Sequence, residues 1–332
     1  MSISTANRNP LLLAIAQNHL NIMQKRVTWI IPVKNGMPYL PETLASIEAQ
    51  TYKNWQVLVW DNGSTDGTVE ELNKWIPSRL PGRVITGQPL SVGASLARMV
   101  ELCDTELCAR IDADDINLPE RLEKQIAFLD AHRDVAIVGS QMYRMNAAGV
   151  VQGRCYLAPF QHDDIVHFLL KDTTLNHPSV VFRRTAVLEV GNYRDFPNIE
   201  DYDLWLRMAY HHKLANLDVP LINFRIHSRS TTEIARNENK LTNLANECFI
   251  KNAPLLYGCS ETEAKLLREN RHPLPLLAVL KIAKYLQDTQ GGHWWERFRS
   301  KSFIAGTKRL ISSKDIISRI IWAALWYYRK QN

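Results

Sequence analysis

Three carboxylates fall within four residues at Asp112-Ala113-Asp114-Asp115, directly after Leu107 to Ile111, a stretch that is apolar except for Arg110. Carboxylates this close repel one another and cost free energy when buried unpaired, so a cation is expected among them. Oxygen ligands suit Mg²⁺ or Mn²⁺ rather than zinc. A hard cation held by one or two carboxylates keeps positions open for phosphates, which points to a nucleotide-linked substrate. The alternative for the same residues is an acidic turn that caps a helix starting near Pro119.

A second acidic turn lies upstream. Val27-Thr28-Trp29-Ile30-Ile31-Pro32-Val33 and Gln56-Val57-Leu58-Val59-Trp60 are apolar, β-branched and aromatic runs of strand length, each ended by turn residues. Between them, Pro41 to Gln50 reads as a helix with proline in its first turn. Together they make a βαβ unit. Its second strand ends in Asp61-Asn62-Gly63-Ser64-Thr65-Asp66-Gly67-Thr68, a polar loop at the carboxyl end of a parallel strand, where open α/β sheets bind ligands. An ordinary Asn-Gly turn is the alternative there.

Four segments, VTWIIPVKNG from Val27, VLVWDNGSTDGT from Val57, RIDADDINLPERL from Arg110 and NIEDYDLWLR from Asn198, resemble in order the signatures of the family 2 nucleotide-sugar glycosyltransferases. The resemblance covers roughly residues 26 to 230. It implies the GT-A fold, an α/β, Rossmann-like, mostly parallel sheet flanked by helices. The expected organisation is an N-terminal extension over 1–25, a catalytic domain over 26–232 and a helical C-terminal region over 233–332.

The same resemblance assigns roles position by position. Pro32 and Val33 contact the nucleotide base, and Asp61 and Asn62 bind the base and its ribose. The family often has two aspartates in that loop, so Asn62 is a departure that bears on base identity. Asp112 and Asp114 match the Asp-x-Asp signature at the nucleotide and metal, with Asp114 the direct metal ligand and Asp115 a supporting partner. Glu200-Asp201 matches the acidic pair before a Leu-Trp helix, which makes Asp201 the general base with Glu200 beside it. His177 and His227 lie in segments that run near the acceptor and the diphosphate in the family. His227 is a candidate metal or phosphate contact, against the commoner structural role of histidine. Arg98 follows Ser91-Val92-Gly93 on an expected helix and could meet the diphosphate or remain a solvated surface arginine. Trp205 reads as core rather than sugar platform.

Elementary chemistry agrees with this arrangement. Glycosyl transfer from a diphosphate needs the leaving charge neutralised, which a metal does as a Lewis acid. It also needs the acceptor hydroxyl deprotonated, and a positioned base contributes on the order of 10² to 10⁴ in rate. One base opposite the leaving group gives a single displacement with inversion. Asp201 could instead cap a helix over Tyr202 to Tyr210, whose apolar positions include Leu204, Trp205 and Met208. The function expected is an inverting, metal-dependent glycosyltransferase using Mg²⁺ or Mn²⁺. Its donor is a nucleotide-diphosphate sugar, with uracil the base the resemblance prefers, and its acceptor a glycan or lipid-linked hydroxyl in cell-surface polysaccharide synthesis. A nucleotidyltransferase would show a glycine-rich phosphate loop after the first strand, whereas Lys34-Asn35-Gly36-Met37-Pro38 has a single glycine. A non-catalytic, membrane-associated binding protein would not need Asp61, Asp112, Asp114, Glu200 and Asp201 together. A dinucleotide dehydrogenase fares worse, since no Gly-x-Gly-x-x-Gly precedes Asp61.

At 332 residues and 45% hydrophobic, the chain suits one catalytic domain with a helical extension better than two equal domains. Its five cysteines are odd in number and form no Cys-x-x-Cys pair, which argues for a reducing compartment rather than a disulfide scaffold or zinc site. The first 25 residues contain only the short apolar run Leu11 to Ala16, so a cytoplasmic location is expected rather than a secretory signal or a span.

The carboxyl-terminal end differs in character. From Gly291 to Asn332 nine Lys or Arg stand against two acids, an excess larger than the net charge of +6 for the whole chain. Trp294, Trp295, Phe298, Trp322, Trp326 and Tyr327 are interleaved with these cations, while Ile317, Ile321, Leu325 and Tyr328 recur at helical spacing. Such a segment suits the interface of an anionic membrane, each basic residue contributing about 1 kcal/mol, and implies a peripheral position on the inner face. The core Ile316 to Tyr328 is too short to span and carries Arg319. A helix packed on the catalytic domain is the alternative, and no nucleic-acid module accompanies the basic residues. Vesicle co-sedimentation separates these readings. The full chain should bind anionic vesicles at low salt and release at 1 M, where the screening length is about 3 Å. A chain ending near Gly291 should lose that binding, and equal binding by both chains favours the packed helix.

Overall fold

Val27–Val33 (β1) is buried along its whole length because both of its faces meet apolar side chains. Trp29 and Ile31 join one cluster with Leu40, Leu44 and Ile47, while Ile30 joins another with Leu96, Met99 and Val100. Alternate strand residues face opposite sides, so a near-continuous apolar run is what a central parallel strand requires. The computed structural model describes residues 25–155, 158–170, 172–228, 230 and 240–268.

The expected βαβ unit is present. Trp55–Asp61 (β2) lies parallel to β1, with Asp61 beside Val33, and Leu40–Glu48 (α1) connects them with proline in its first turn. Gly82–Thr86 (β3) and Leu107–Arg110 (β4) extend the parallel sheet on either side, through Thr68–Trp75 (α2) and Val92–Leu102 (α3). The remaining strands are Ile116–Asn117 (β5), Val135–Asn146 (β6), Val151–Arg154 (β7), Val181–Arg183 (β8) and Lys213–Ile226 (β9). Between them run Arg121–Ala131 (α4), His162–Leu169 (α5), Arg184–Glu189 (α6) and Glu200–His211 (α7).

Among the described residues these strands form one sheet in the order β3-β2-β1-β4-β8-β6-β9-β5, with β7 on β6. Strand β8 is antiparallel to both β4 and β6, and β6 is parallel to β9. Thus β1, β2, β3, β4, β6 and β9 share one direction, the mostly parallel sheet expected. Lys240–Tyr257 (α8) packs against α7 and shares its core through Cys248, Phe249, Ala253 and Tyr257. Residues 240–268, with Glu261–Arg268 (α9), therefore belong to the packing of the catalytic part. The extension over 1–24 and the basic, aromatic segment after Gly291 lie outside the described residues.

One side chain ties the end of β4 to its neighbours. Arg121, wholly buried, donates from Nε to Gln125 Oε1 at 3.0 Å and from Nη1 to Asn117 Oδ1 at 2.6 Å. Its Nη2 donates to the carbonyls of Arg110 at 2.7 Å and Val180 at 3.2 Å, and its guanidinium lies 5.0 Å from the Trp29 ring. A methionine here keeps the volume and strands those acceptors, each worth roughly 1–3 kcal/mol when buried unsatisfied. Arg121→Met is expected to lower unfolding free energy by about 3 kcal/mol or more in urea with the m-value unchanged.

Candidate active site

Strands β1, β2 and β4 run the same way in close register, so their carboxyl ends open on one edge of the sheet. A cleft of about 640 Å³ lies there. Its lining brings together Pro32, Val33, Asn62, Asp112, Asp114, Glu200, Asp201 and His227.

At the β1–β2 end the chain satisfies its own polar groups. Asp61 accepts from the backbone N–H of Gly63 at 3.1 Å and of Ser64 at 3.3 Å, which shapes a turn in which Gly63 has φ 78°. It is buried, and it is not part of the cleft lining. Asn62 lies in the wall, where its Nδ2 donates to Ser95 Oγ at 3.0 Å and its Oδ1 accepts from the Leu90 N–H at 2.9 Å. Arg98 does not reach the cleft; it sits on the exposed face of α3, paired with Glu101 at 2.6 Å. The helix buries Ser95, Leu96, Met99 and Val100, which leaves Arg98 on its outer face, and the solvated alternative is the one the fold adopts.

The acidic loop follows β4 and docks on the end of β9 through the β5–β9 pairing. Arg110 forks onto Asp112, with Nη1 to Oδ2 at 2.7 Å and Nη2 to Oδ1 at 2.5 Å. Asp114 Oδ2 lies 2.8 Å from His227 Nε2, and the Tyr39 ring is 4.8 Å from the His227 ring. Asp115 is fully buried; its Oδ1 accepts from the Arg225 N–H at 2.8 Å, and its Oδ2 has no hydrogen-bond partner. The Arg225 side chain donates to Asp114 O at 2.8 Å and Glu42 Oε2 at 2.8 Å, and stacks 4.5 Å from the Tyr39 ring. Sequence reading passed over Arg110, Arg225 and Tyr39. The signal it had for the first was a lone charge inside an otherwise apolar strand.

Burial pushes the Asp112 carboxyl up, with Arg110 opposing and Asp114 adding to the rise. Burial also pushes Asp115 well above the usual carboxylate range, reinforced by Asp114 and Asp112. Carboxylates held this way call for a cation. Donor atoms of Asp112, Asp114 and Asp115 lie within 4.8 Å of one another, and one Asp115 oxygen is orphaned. Oxygen donors with an adjacent imidazole fit a hard divalent ion.

The second acidic pair opens α7. Ile199 occupies the N-cap position and no side chain caps the helix, so the alternative in which Asp201 caps Tyr202 to Tyr210 is not the one the backbone adopts. Its Oδ1 accepts from the Tyr202 N–H at 2.7 Å. Burial raises Asp201 to about 6, opposed by that N–H and by Arg110. Burial and the Asp201 charge raise Glu200 to about 7, and its Oε2 is buried without a partner. His177 Nδ1 is 3.8 Å from Glu200 Oε1, and its Nε2 is 3.0 Å from the Tyr193 hydroxyl. Burial and Arg110 hold His177 well below the usual histidine range, so it is neutral at pH 7 and this contact is not an ion pair. Trp205 is fully buried in the core.

Together, the fold and this acidic cleft define an α/β transferase of the GT-A type. Residues 28–191 match the sequence profile of Glycosyl transferase family 2. The amylovoran biosynthesis glycosyltransferase AmsE of Erwinia amylovora is 33% identical over 189 residues, 56% of this chain and 70% of that protein. The chain belongs to glycosyl transferase family 2. Its fold is similar to that of S. aureus TarS 1–349 in complex with UDP-GlcNAc, with TM-score 0.56 at 16% identity over 92% of each chain. Against a longer TarS chain it spans 49% of that chain, with TM-score 0.51. The mannosyltransferase PcManGT from Pyrobaculum calidifontis, in complex with GDP-Man and Mn²⁺, gives TM-score 0.53 at 16% identity over 94% of this chain and 92% of that one.

Glu200 sets a test of the electrostatics. Its native pKa lies above the unfolded value, so the folded state keeps a proton that the unfolded chain releases between about 4.5 and 7. Stability from this group is therefore complete at low pH and is lost as pH rises through about 7. Glu200→Gln removes the ionisation, and in urea unfolding it should be more stable than wild type by on the order of 2 kcal/mol at pH 8, with the gain gone near pH 4.5.

Proposed function

We propose that this chain is an inverting, metal-dependent glycosyltransferase that moves a sugar from a UDP-linked donor to a hydroxyl of a glycan or lipid-linked acceptor in cell-surface polysaccharide synthesis. The observation that carries the reading is the convergence of two acidic groups, Asp112 with Asp114 and Glu200 with Asp201, on one cleft at the carboxyl edge of the sheet. AmsE, an amylovoran biosynthesis enzyme, and TarS in complex with UDP-GlcNAc support the pathway class and the donor class. PcManGT binds GDP-Man, so the fold alone does not choose the base.

In this reading Pro32, Val33 and Asn62 form the wall against the base. Asp61 acts through the turn it stabilises, and Asp112 orients the ribose and diphosphate. Asp114, Asp112 and His227 would hold Mg²⁺ or Mn²⁺, supported by Asp115. When bound, the metal supplies Lewis-acid neutralisation of the leaving diphosphate. Asp201 takes the proton from the acceptor hydroxyl as that oxygen attacks the anomeric carbon, and a single displacement inverts the configuration. A base with a pKa near 6 is ionised at neutral pH yet basic enough to accept that proton. Glu200 shares the field of Asp201 and keeps a proton to higher pH. The basic, aromatic carboxyl-terminal segment would dock the enzyme on an anionic membrane surface, where a lipid-linked acceptor lies.

A panel of nucleotide sugars, scored by protection against thermal unfolding with and without Mn²⁺, tests the donor class. Asp114→Asn should abolish the Mn²⁺-dependent part of that protection while keeping the fold. Asp201→Asn should keep protection and lose turnover by roughly 10² or more. Full activity in excess chelator, or near-normal turnover of Asp201→Asn, would remove the metal or the base from this mechanism.

A further inference from the structure

Arg110 ends β4, and its backbone is held from both sides. Its N–H donates to Val180 O at 3.0 Å, and its carbonyl accepts from Arg121 Nη2 at 2.7 Å. The side chain is only 5% exposed, yet it lines the cleft. Both terminal nitrogens engage Asp112, while Nε is buried without a hydrogen-bond partner. A buried cation with a spare donor is costly, so its place in an apolar strand calls for a reason.

That reason lies in what surrounds the guanidinium. Asp112 is on one side of it. His177, Glu200 and Asp201 line the same cleft, with His177 3.8 Å from Glu200 and 3.0 Å from the Tyr193 hydroxyl, and all four groups feel its charge. Asp172 toward Asp201 and Asp112 toward Glu200 add negative charge at the α7 pair, which also faces the Tyr193 hydroxyl and the Cys248 thiol. Among the described residues, Arg110 is thus a buried cation placed between the two acidic halves of the cleft, gripping Asp112 and lining the same wall as Glu200 and Asp201.

Building on the transfer reading above, we propose that Arg110 is a positioning residue for both halves of the site: its fork fixes the Asp112 carboxylate, and its charge sets the field at Glu200 and Asp201. Fork and charge are separable. Lysine keeps the charge but cannot grip a carboxylate with two parallel donors, whereas glutamine keeps a donor without charge.

The test uses the full chain as wild type, Arg110→Lys and Arg110→Gln. UDP affinity is measured by calorimetry with and without Mn²⁺. The acid limb of the kcat–pH profile is followed on the nucleotide sugar that protects best in the panel. Both variants should bind UDP with Mn²⁺ about tenfold more weakly, having lost the bidentate grip. The acid limb should move up by about one pH unit in Arg110→Gln and stay near wild type in Arg110→Lys. Wild-type affinity and an unmoved acid limb in both variants overturn the inference, as does an acid limb that moves equally in both. If Arg110→Gln fails to fold by circular dichroism, Arg110→Lys decides: weaker Mn²⁺–UDP binding with an unmoved limb supports the role, and wild-type binding overturns it. If no sugar in the panel turns over, the affinities alone decide. A wild type that binds no UDP with Mn²⁺ sinks the transfer reading itself, whereas a binding wild type with unaffected variants sinks only the role of Arg110.

Discussion

Mutual repulsion among Asp112, Asp114 and Asp115 is the constraint on which the rest of the structure depends. Their donor atoms lie within 4.8 Å of one another. At an effective dielectric near 20, each such pair repels by on the order of 3 kcal/mol. One such pair is already a large part of the folding stability of a domain, roughly 5–15 kcal/mol, and the same repulsion and burial push Asp112 and Asp115 up. The loop therefore persists only where cations and N–H donors surround it. Arg110 grips Asp112 from β4, and the backbone and side chain of Arg225 reach the loop from β9. His227 meets Asp114 two residues further on.

Those contacts explain features of the sheet that are otherwise arbitrary. Strand β9 runs fourteen residues, long enough to carry Arg225 past the core to the loop. Strand β5 is two residues long, and its pairing with β9 at Ile116 and Asn117 pins the loop beside that arginine. Arg121 then fixes the Arg110 carbonyl, so one buried arginine orients another. Burial lowers the pKa of Arg121 while the Asp115 carboxylate opposes the shift, tying this second layer back to the same acidic loop.

Much of this was legible in the sequence, and what was not has physical causes. The β1–α1–β2 unit announces itself through apolar runs, a first-turn proline and a polar loop, all local signals. The acidic residues stand out because Asp is seldom clustered without a partner. Strand β8 could not be read, since three residues carry no periodicity and its place between β4 and β6 is fixed only by long-range pairing. Arginine defeats sequence reading in both directions. Arg98, which could have met the diphosphate or stayed on the surface, is solvated, whereas Arg110, Arg121 and Arg225 are almost wholly buried, and of these only Arg110, a lone charge in an apolar strand, carries a local sign of it. For Asp201 the sequence left a cap open as the alternative to a base, because a carboxylate one residue inside a helix start resembles a cap, and only the backbone places Ile199 in that role.

The two ends of the cleft are built on opposite principles. At the β1–β2 end Asp61 and Asn62 are spent on the chain itself, Asp61 on its own turn and Asn62 on Leu90 and Ser95. That end therefore presents wall shape and backbone groups to the cleft rather than a free carboxylate. At the acidic end, Arg110 Nε, Asp115 Oδ2 and Glu200 Oε2 are all buried without hydrogen-bond partners. Native proteins rarely tolerate such atoms unless a function requires them. A site that must stabilise charge appearing during a reaction needs dipoles and charges already oriented and not neutralised by one another. The surrounding arginines hold the carboxylates apart without satisfying every oxygen, which leaves interaction free energy at that end for a bound group to draw on.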